Sequence, residues 1–280
     1  MAVLDTALGG CPWENMGSVA NGIKYSRLAF IPATAVQILS NTPALTLDFS
    51  AIKAITLDLD DTLWPVWPAI ERAEKALEAW LGQHAPLTAT MFSNAETRHE
   101  IREHVLHSQP DLKNNLSAIR REAIREALLR SDEDPLLADH GFSVFFEERN
   151  RVVLFEDALG TLEFLSKRYP LVALSNGNAC IKRIGIDQYF QASISAGEFG
   201  ISKPDPRIFH AAAGAVGISS ANILHIGDDP ELDVLGALNA NMQTVWLNRT
   251  ANPWKHEQTP HATVSNLNEL CAAIAAFEAA

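Results

Sequence analysis

The feature that most constrains the fold is an alternation of short apolar segments with segments of helical periodicity, from residue 152 to the end of the chain. The strand-like segments read LVALSN, QASISA, NILHIGDD and QTVWLN. An earlier segment, AIKAITLDLD from residue 51, is rich in Ile and Leu and apolar on both faces near its end. Strands of this kind suit a parallel sheet that is covered on both sides. The alternation therefore predicts an α/β fold with a Rossmann-like, doubly wound parallel sheet.

A helical stretch interrupts this pattern after the first predicted strand. Its segments with helical periodicity are PAIERAEKALEAWLG, SNAETRHEIREHVLH, LSAIRREAIREALLR and PLLADHGFSVFFEERN. Pro68 is predicted to begin the first of these helices and Gly82 to end it. Ser93, three residues before Glu96, has the spacing of a capping box and is predicted to cap the second. No strand is predicted in this stretch.

The predicted domain organisation has three parts. Residues 51–66 and 152–280 form the Rossmann-like core, and residues 67–151 form an inserted helical cap domain. Residues 1–50 lack the basic start and continuous apolar centre of a secretory signal. We interpret them as an N-terminal extension, either a disordered segment or the product of an upstream start.

Charge and cysteine content narrow the classes of partner and environment. The chain of 280 residues has a net charge of −12 and no long basic run, which argues against a nucleic-acid or anionic-membrane partner. No apolar stretch is long enough to span a bilayer. Cys11, Cys180 and Cys271 are few and far apart, so we predict no disulfide framework and a reducing, cytoplasmic environment. We expect a monomer or a weak homodimer.

Polar side chains follow the predicted strands at four places, where a parallel sheet brings them to one edge. They are Asp58, Asp60, Asp61 and Thr62; Ser175 and Asn176; Lys203 before a helix; and Asp228, Asp229 and Asp233. Each group alone is also typical of turns and helix caps. Several carboxylates in one crevice repel each other unless a cation compensates. Mg²⁺ commonly takes one or two carboxylates together with substrate phosphate, so the set predicts a magnesium site.

The order of these motifs resembles the haloacid dehalogenase superfamily of hydrolases. DxDxT follows the first strand, Ser-Asn the second, Lys-Pro precedes a helix and GDxxxxD follows a later strand. The helical insert resembles that superfamily's type-one cap, and the likeness covers residues 51–280. DLDDTL, LSNGNA and HIGDDPELDVLGA are most similar to a bacterial branch that includes flavin mononucleotide phosphatases and related riboflavin-pathway phosphatases.

The resemblance implies roles for the first motif. Asp58 is the implied nucleophile, which forms an aspartyl-phosphate intermediate. Asp60 is the implied general acid–base, and its backbone carbonyl is similar to a metal ligand of the family. Thr62 is predicted to order the loop and is counted among the substrate-binding residues. Asp61 stands where the family often has glycine and is given no role.

The other motifs are implied to hold the phosphoryl group and the metal. Ser175 and the backbone amide of Asn176 would bind the phosphoryl oxygens, and Lys203 would neutralise charge on the nucleophile and on the phosphoryl group. Asp228 would bind Mg²⁺ directly, with Asp233 in support and Asp229 as a less favoured second ligand. The predicted metal set is Asp58, Asp60, Asp228 and Asp233.

Selectivity is predicted to come from the loop after Thr62 and from the cap. Trp64 and Trp67 either pack the hinge or border the pocket for a flat leaving group. Arg120, beside Arg121 on a predicted cap helix, is expected near the rim of that pocket. The predicted function is a Mg²⁺-dependent phosphatase for a small phosphomonoester, with flavin mononucleotide or a precursor of it as the leading substrate.

Three other functions remain open at this point. A 2-haloacid dehalogenase would use the Asp58 nucleophile but would need neither Asp60 nor Mg²⁺, so the acidic motifs argue against it. A sugar-phosphate mutase keeps the same core motifs. A non-catalytic binding protein with the same fold would have lost turnover. The intact motifs argue against this function.

Overall fold

The computed structural model of the protein describes residues 46–280, and the predictions made for residues 1–45 lie outside this part of the chain. Its strands are β1 (Ala54–Leu57), β2 (Leu171–Ser175), β3 (Ala192–Ser195), β4 (Ile223–Gly227), β5 (Gln243–Leu247) and β6 (Ala262–Val264). They form one six-stranded sheet in the order β3-β2-β1-β4-β5-β6. Every pairing is parallel, so the predicted fold class is confirmed. The edge strand β6 was missed.

β1 lies at the centre of the sheet, and all four of its residues are buried. Ile55 stands opposite Leu171 of β2 on one side and Leu224 of β4 on the other. The chain adds β2 and β3 on one side of β1 and β4 to β6 on the other. In open parallel sheets ligands bind where the strand order reverses, at the carboxyl ends of the strands. The topology therefore places a crevice directly after Leu57.

The helices on the two faces explain why β1 is apolar throughout. They are α6 (Ala158–Ser166), α7 (Ile181–Ile184), α8 (Ala196–Phe199), α9 (Pro206–Ala215), α10 (Gly236–Asn239, directly after a π-helical turn at Pro230–Leu235) and α11 (Leu267–Glu278). Ile55 and Leu57 belong to a buried cluster with α6 and α11. Ala54 belongs to a second cluster with α9 and α10. Alternate residues of β1 are therefore covered from opposite sides, as a doubly wound sheet requires.

Five helices follow β1 before α6: α1 (Val66–His84), α2 (Pro86–Phe92), α3 (Ala95–Ser108), α4 (Leu116–Arg130) and α5 (Leu137–Arg149). They share a hydrophobic cluster of their own, which includes Leu77, Ile101, Ile124 and Phe145. The helical character predicted for this stretch is therefore observed, and the domain limits given above stay a prediction. Among residues 46–280, no helix has the length and apolar character needed to cross a membrane.

Three details of these helices differ from the prediction. α1 begins at Val66 rather than Pro68, because Asp61 Oδ1 accepts a hydrogen bond from the Val66 amide at 2.9 Å. It continues past Gly82, since one interior glycine costs only about 1 kcal/mol. The cap of α3 is Asn94, whose Oδ1 accepts from Thr97 N at 3.0 Å, and not Ser93. The short helix α2 was not predicted.

Candidate active site

Polar residues gather at the carboxyl ends of β1, β2 and β4, around a cavity of about 160 Å³. Asp58 directly follows β1, Ser175 ends β2 and Asp228 directly follows β4. The predicted site residues that line this cavity are Asp58, Asp60, Ser175, Asn176, Lys203, Asp228 and Asp233. The structure therefore brings together residues from all four motifs, which lie as much as 175 positions apart along the chain (233 − 58).

Lys203 is the cation at the centre of the site. It is 2% exposed, and its Nζ donates hydrogen bonds to Asp58 Oδ1 and Asp233 Oδ1 at 2.5 Å each. Burial raises the pKa of the Asp58 carboxyl to about 8, although Lys203 acts in the opposite direction. Burial would also raise the pKa of Asp233, but Lys203 and His225 outweigh it and hold that pKa low. One ammonium group thus pairs with two carboxylates. Asp58 therefore needs a further cation to be fully ionised at neutral pH.

A buried chain of hydrogen bonds from Thr56 through His225 fixes the position of Asp233. His225 Nδ1 lies 2.7 Å from Thr56 Oγ1, and His225 Nε2 lies 3.2 Å from Asp233 Oδ1. Burial lowers the pKa of His225, so the ring is neutral. A neutral ring that accepts from Thr56 donates through Nε2 to Asp233. The Asp229 amide donates to Asp233 Oδ2 at 3.0 Å, so Asp233 is fixed on both oxygens.

Asp228 completes a group of three acids. Its Oδ1 accepts a hydrogen bond from Thr62 Oγ1 at 3.1 Å, and its backbone oxygen accepts from the Trp246 indole at 2.8 Å. Asp58, Asp228 and Asp233 each offer an oxygen, and these oxygens lie within 4.8 Å of one another. Burial, together with the nearby Asp58 carboxylate, raises the pKa of Asp228 well above its usual range. The group could therefore hold a metal ion.

The chemistry of these donors identifies the kind of ion that fits. All are carboxylate oxygens, which hard divalent cations prefer. Asp233 is already engaged by Lys203, so Asp58 and Asp228 are the side chains left to coordinate. Burial, together with the neighbouring carboxylates, raises the pKa values of Asp58 and Asp228, so negative charge is costly on both. A divalent cation between them would remove that cost.

The Asp60 carboxyl is outside this group, so its predicted part in the metal set rests on its backbone carbonyl. Arg149 Nη2 donates to Asp60 Oδ1 at 2.7 Å and to Oδ2 at 2.6 Å, and Trp64 Nε1 donates to Oδ1 at 2.8 Å. Only the backbone carbonyl of Asp60 remains as a candidate ligand. Arg149 is the functional residue that the sequence did not reveal. It lies 89 positions from Asp60, at the end of a helix whose charged sequence EER is typical of a solvated surface.

Residues 175–177 line one side of the cavity. Ser175 is buried, and its Oγ accepts a hydrogen bond from the Gly177 amide at 2.9 Å. The Asn176 side chain bonds to the Lys203 backbone in both directions, at 2.9 Å and 2.8 Å, and so fixes the position of Lys203. A Cβ at Gly177 would overlap Asp60 Oδ2, so glycine is required there by close approach.

Two of the predicted substrate contacts, Thr62 and Trp64, are not among the residues that line this cavity. Thr62 is fully buried and bonds to Asp228, so it supports a candidate metal ligand. Trp64 is 0% exposed and belongs to a buried core cluster. Its indole N–H instead holds Asp60. Trp67, by contrast, is 37% exposed and lines the cavity.

Asp61 has a structural role that the sequence did not assign. Its φ is 58°, in the left-handed region that favours glycine. This explains why glycine is common at the corresponding position of the family that the motifs resemble. The Asp61 side chain also accepts the hydrogen bond that begins α1.

A second cavity of about 110 Å³ adjoins the first and shares Trp67, Ile70, Leu116 and Asn178 with it. Its other lining is half apolar, with Phe92, Ile119, Ala123 and Phe145, and half basic, with Arg98, His99, Arg102 and Arg120. Arg120 pairs with Glu74 at 2.6 Å and lies 4.4 Å from the centre of the Phe145 ring. The predicted cap arginine therefore lies at this second cavity and not at the phosphoryl site.

The sequence matches the haloacid dehalogenase-like hydrolases over residues 52–241. This range contains every motif residue described above and most of the described chain. The protein belongs to that family of hydrolases.

The similar proteins include both phosphatases and a 2-haloacid dehalogenase. The 5-amino-6-(5-phospho-D-ribitylamino)uracil phosphatase YigB of Escherichia coli strain K12 is 32% identical, over 80% of this chain and 96% of that protein. The phosphoserine phosphatase of Thermus thermophilus is 34% identical, over 54% of this chain and 63% of that protein. The 2-haloacid dehalogenase structure from Pseudomonas syringae pv. Tomato DC3000 has a TM-score of 0.77 and 37% identity, over 81% of this chain and 99% of that one.

Proposed function

We propose that the protein is a Mg²⁺-dependent phosphatase that hydrolyses a small phosphomonoester in the cytoplasm through an aspartyl-phosphate on Asp58. One observation carries the proposal. Two further acids lie beside the buried pair of Asp58 and Lys203. Asp228 is a candidate metal ligand, and Asp60 is an acid–base candidate whose carboxyl is fixed by Arg149. Dehalogenation through an aspartyl ester needs the first pair but has no use for the other two.

The proposed reaction has two steps, which the chain's own residues carry. First, an oxygen of Asp58 attacks phosphorus, the bond to the leaving oxygen breaks, and Asp60 gives that oxygen a proton so that it departs as an alcohol. Second, water attacks the same phosphorus and passes a proton to Asp60, which releases phosphate and restores the Asp58 carboxylate. General acid–base catalysis of this kind typically contributes ~10²–10⁴-fold. Lys203 and the amides around Ser175 stabilise charge on the phosphoryl oxygens.

Asp58, Asp228 and the Asp60 carbonyl are the groups that would hold Mg²⁺. When bound, the ion would neutralise the nucleophile and the phosphoryl oxygens so that two anions can approach each other. The raised pKa of Asp58 supports this assignment, because a protonated carboxyl is a poor nucleophile.

The substrate class follows from the second cavity. Its lining of aromatic and aliphatic side chains, with Trp67 at the junction of the two cavities, suits a leaving group that ends in a flat ring. The relative from Escherichia coli acts, by its name, on a ribityl phosphate joined to a uracil ring. Flavin mononucleotide also carries a ribityl phosphate on a flat ring. We therefore place this protein's substrate among phosphorylated alcohols that bear a flat heterocycle.

A dehalogenase is the second candidate, favoured by the likeness to the Pseudomonas syringae structure. The two functions are separated by measuring phosphate release from a panel of phosphorylated metabolites and chloride release from 2-chloropropionate, each with Mg²⁺ and with excess EDTA. Phosphate release that EDTA abolishes is expected. Chloride release that persists in EDTA, without phosphate release, would overturn the proposal. Asp58→Asn should be inactive in either assay and serves as the blank.

A further inference from the structure

Arg149 is buried against Asp60 in a way that a purely structural ion pair does not require. The side chain is 1% exposed, and only Nη2 contacts the Asp60 carboxyl. The other two guanidinium nitrogens, Nε and Nη1, are buried and have no hydrogen-bond partner among residues 46–280. Unpaired buried donors cost stability, and a buried ion pair is weak evidence of net stabilisation. The arginine beside Asp60 is therefore costly to the fold, which points to a role in the reaction.

The contacts around Asp60 distinguish its two oxygens. Oδ1 accepts hydrogen bonds from both Trp64 Nε1 and Arg149 Nη2, whereas Oδ2 accepts only from Arg149. A Cβ at Gly177 would overlap Oδ2, so the missing side chain allows that oxygen to lie close to the Gly177 backbone. Asp60, Arg149 and Gly177 all line the cavity that holds Asp58. Oδ2, which accepts fewer hydrogen bonds than Oδ1, is thus the oxygen with the capacity to carry a proton.

We propose that Arg149 is a positioning residue, which holds the Asp60 carboxyl so that Oδ2 faces the leaving oxygen of the substrate. The inference rests on the proposed phosphatase function. As the Asp58 oxygen bonds to phosphorus and the bond to the leaving oxygen breaks, the proton on Oδ2 passes to that oxygen, which departs as an alcohol. Since Arg149 ends α5 and Asp60 follows β1, the same contact ties the helical insert to the acid–base residue.

If Arg149 positions the acid, its loss should affect substrates unequally, whereas a purely structural role would affect them alike. A misplaced acid harms substrates according to the basicity of their leaving group, because a stable leaving anion needs no proton. Phenyl phosphate and p-nitrophenyl phosphate have leaving groups of similar size, and phenoxide is much the more basic of the two. The quantity to compare is kcat/KM, which covers the steps through departure of the leaving group and excludes the later hydrolysis.

The experiment measures kcat/KM of the full chain for both substrates in wild type, Arg149→Met, Arg149→Lys and Gly177→Ala. We expect Arg149→Met to lose about 10–100-fold on phenyl phosphate and less than about threefold on p-nitrophenyl phosphate. Arg149→Lys keeps the charge and should recover part of the loss on phenyl phosphate. Gly177→Ala, which displaces Oδ2 without removing the arginine, should give the same unequal pattern. The loss of kcat/KM in Asp60→Asn sets the upper limit for the losses in the other variants.

The matched control is Arg151→Met, which removes the same charge two positions along the chain. The Arg151 side chain is 64% exposed and pairs with Glu147 and Glu148, so both substrates should be cleaved at wild-type rates. Thermal unfolding of each variant is recorded first, and Arg149→Lys and Gly177→Ala carry the test if Arg149→Met does not fold. Equal losses on the two substrates, or no loss on either, would overturn the role of Arg149. Absence of any phosphate release by wild type would instead overturn the proposed function, and this inference with it.

Discussion

Replacement of Trp67 by alanine tests whether the second cavity receives the leaving group. The ring is 37% exposed and is shared by the two cavities, so its loss opens the junction between them and leaves the core intact. Stacking on an aromatic ring contributes ~0.5–1.5 kcal/mol beyond the buried area. At ~1.4 kcal/mol for each factor of ten, kcat/KM for flavin mononucleotide should fall about two- to twelve-fold. The loss on p-nitrophenyl phosphate should be smaller, because its ring overlaps less with an indole.

The assay needs a control that separates substrate binding from packing, and Trp64→Phe supplies it. Trp64 is buried and touches Asp60, so this variant should affect stability and proton transfer. Its losses should be equal on flavin mononucleotide and on glycerol 3-phosphate, because both have alkoxide leaving groups and only the first carries a ring. Both variants are compared on all three substrates after their thermal unfolding has been measured. Equal losses for Trp67→Ala on flavin mononucleotide and p-nitrophenyl phosphate would mean that Trp67 only packs the hinge. The assignment of the second cavity to the leaving group would then be refuted.

The buried charges lead to two further predictions. The affinity for Mg²⁺, measured by titration calorimetry, should rise at least about tenfold between pH 6 and pH 7, because the pKa of Asp58 is raised to about 8, that of Asp228 is also raised, and the ion must displace any proton on them; an affinity independent of pH would contradict the assignment. Lys203→Met should lower the free energy of unfolding by about 3–5 kcal/mol at pH 7, since it leaves buried carboxylates without their cation. The pKa of Asp233 is held low in the folded protein, so its ionised form contributes stability above its unfolded pKa of ~4, and that contribution is lost as the pH falls. The cost of Lys203→Met in chemical denaturation should therefore be smaller at pH 3 than at pH 7, and an equal cost at both would count against the coupling.

The sheet could be predicted from sequence because its signals are local. β1, β2, β4 and β5 are buried at every residue, and their continuous apolar runs are visible in the chain. The gathering of Asp58, Ser175 and Asp228 follows from parallel strands that all end at one edge. β6 was missed because it has three residues, too few for a pattern.

The parts of the site that were mispredicted depend on contacts between distant residues or on one turn. Nothing near Asp60 in the sequence indicates Arg149, which reaches it only once five helices have folded between them. Trp64 and Trp67 lie three positions apart, and composition cannot say which is buried. The Asp61 amide donates to the Trp64 carbonyl at 2.7 Å, and this tight turn directs Trp64 inward. Trp67, one residue into α1, remains at the cavity.

The central claim is that Asp58 attacks phosphorus, and trapping of the phosphorylated enzyme tests it most directly. The protein is mixed with Mg²⁺ and a phosphomonoester that it cleaves, quenched within one turnover, reduced with borohydride and digested for mass spectrometry. An acyl phosphate is reduced to the alcohol, so residue 58 should be recovered as homoserine, and Asp58→Asn should yield none. Recovery of unmodified Asp58 from an enzyme that is releasing phosphate, or of homoserine at another aspartate, would contradict the account.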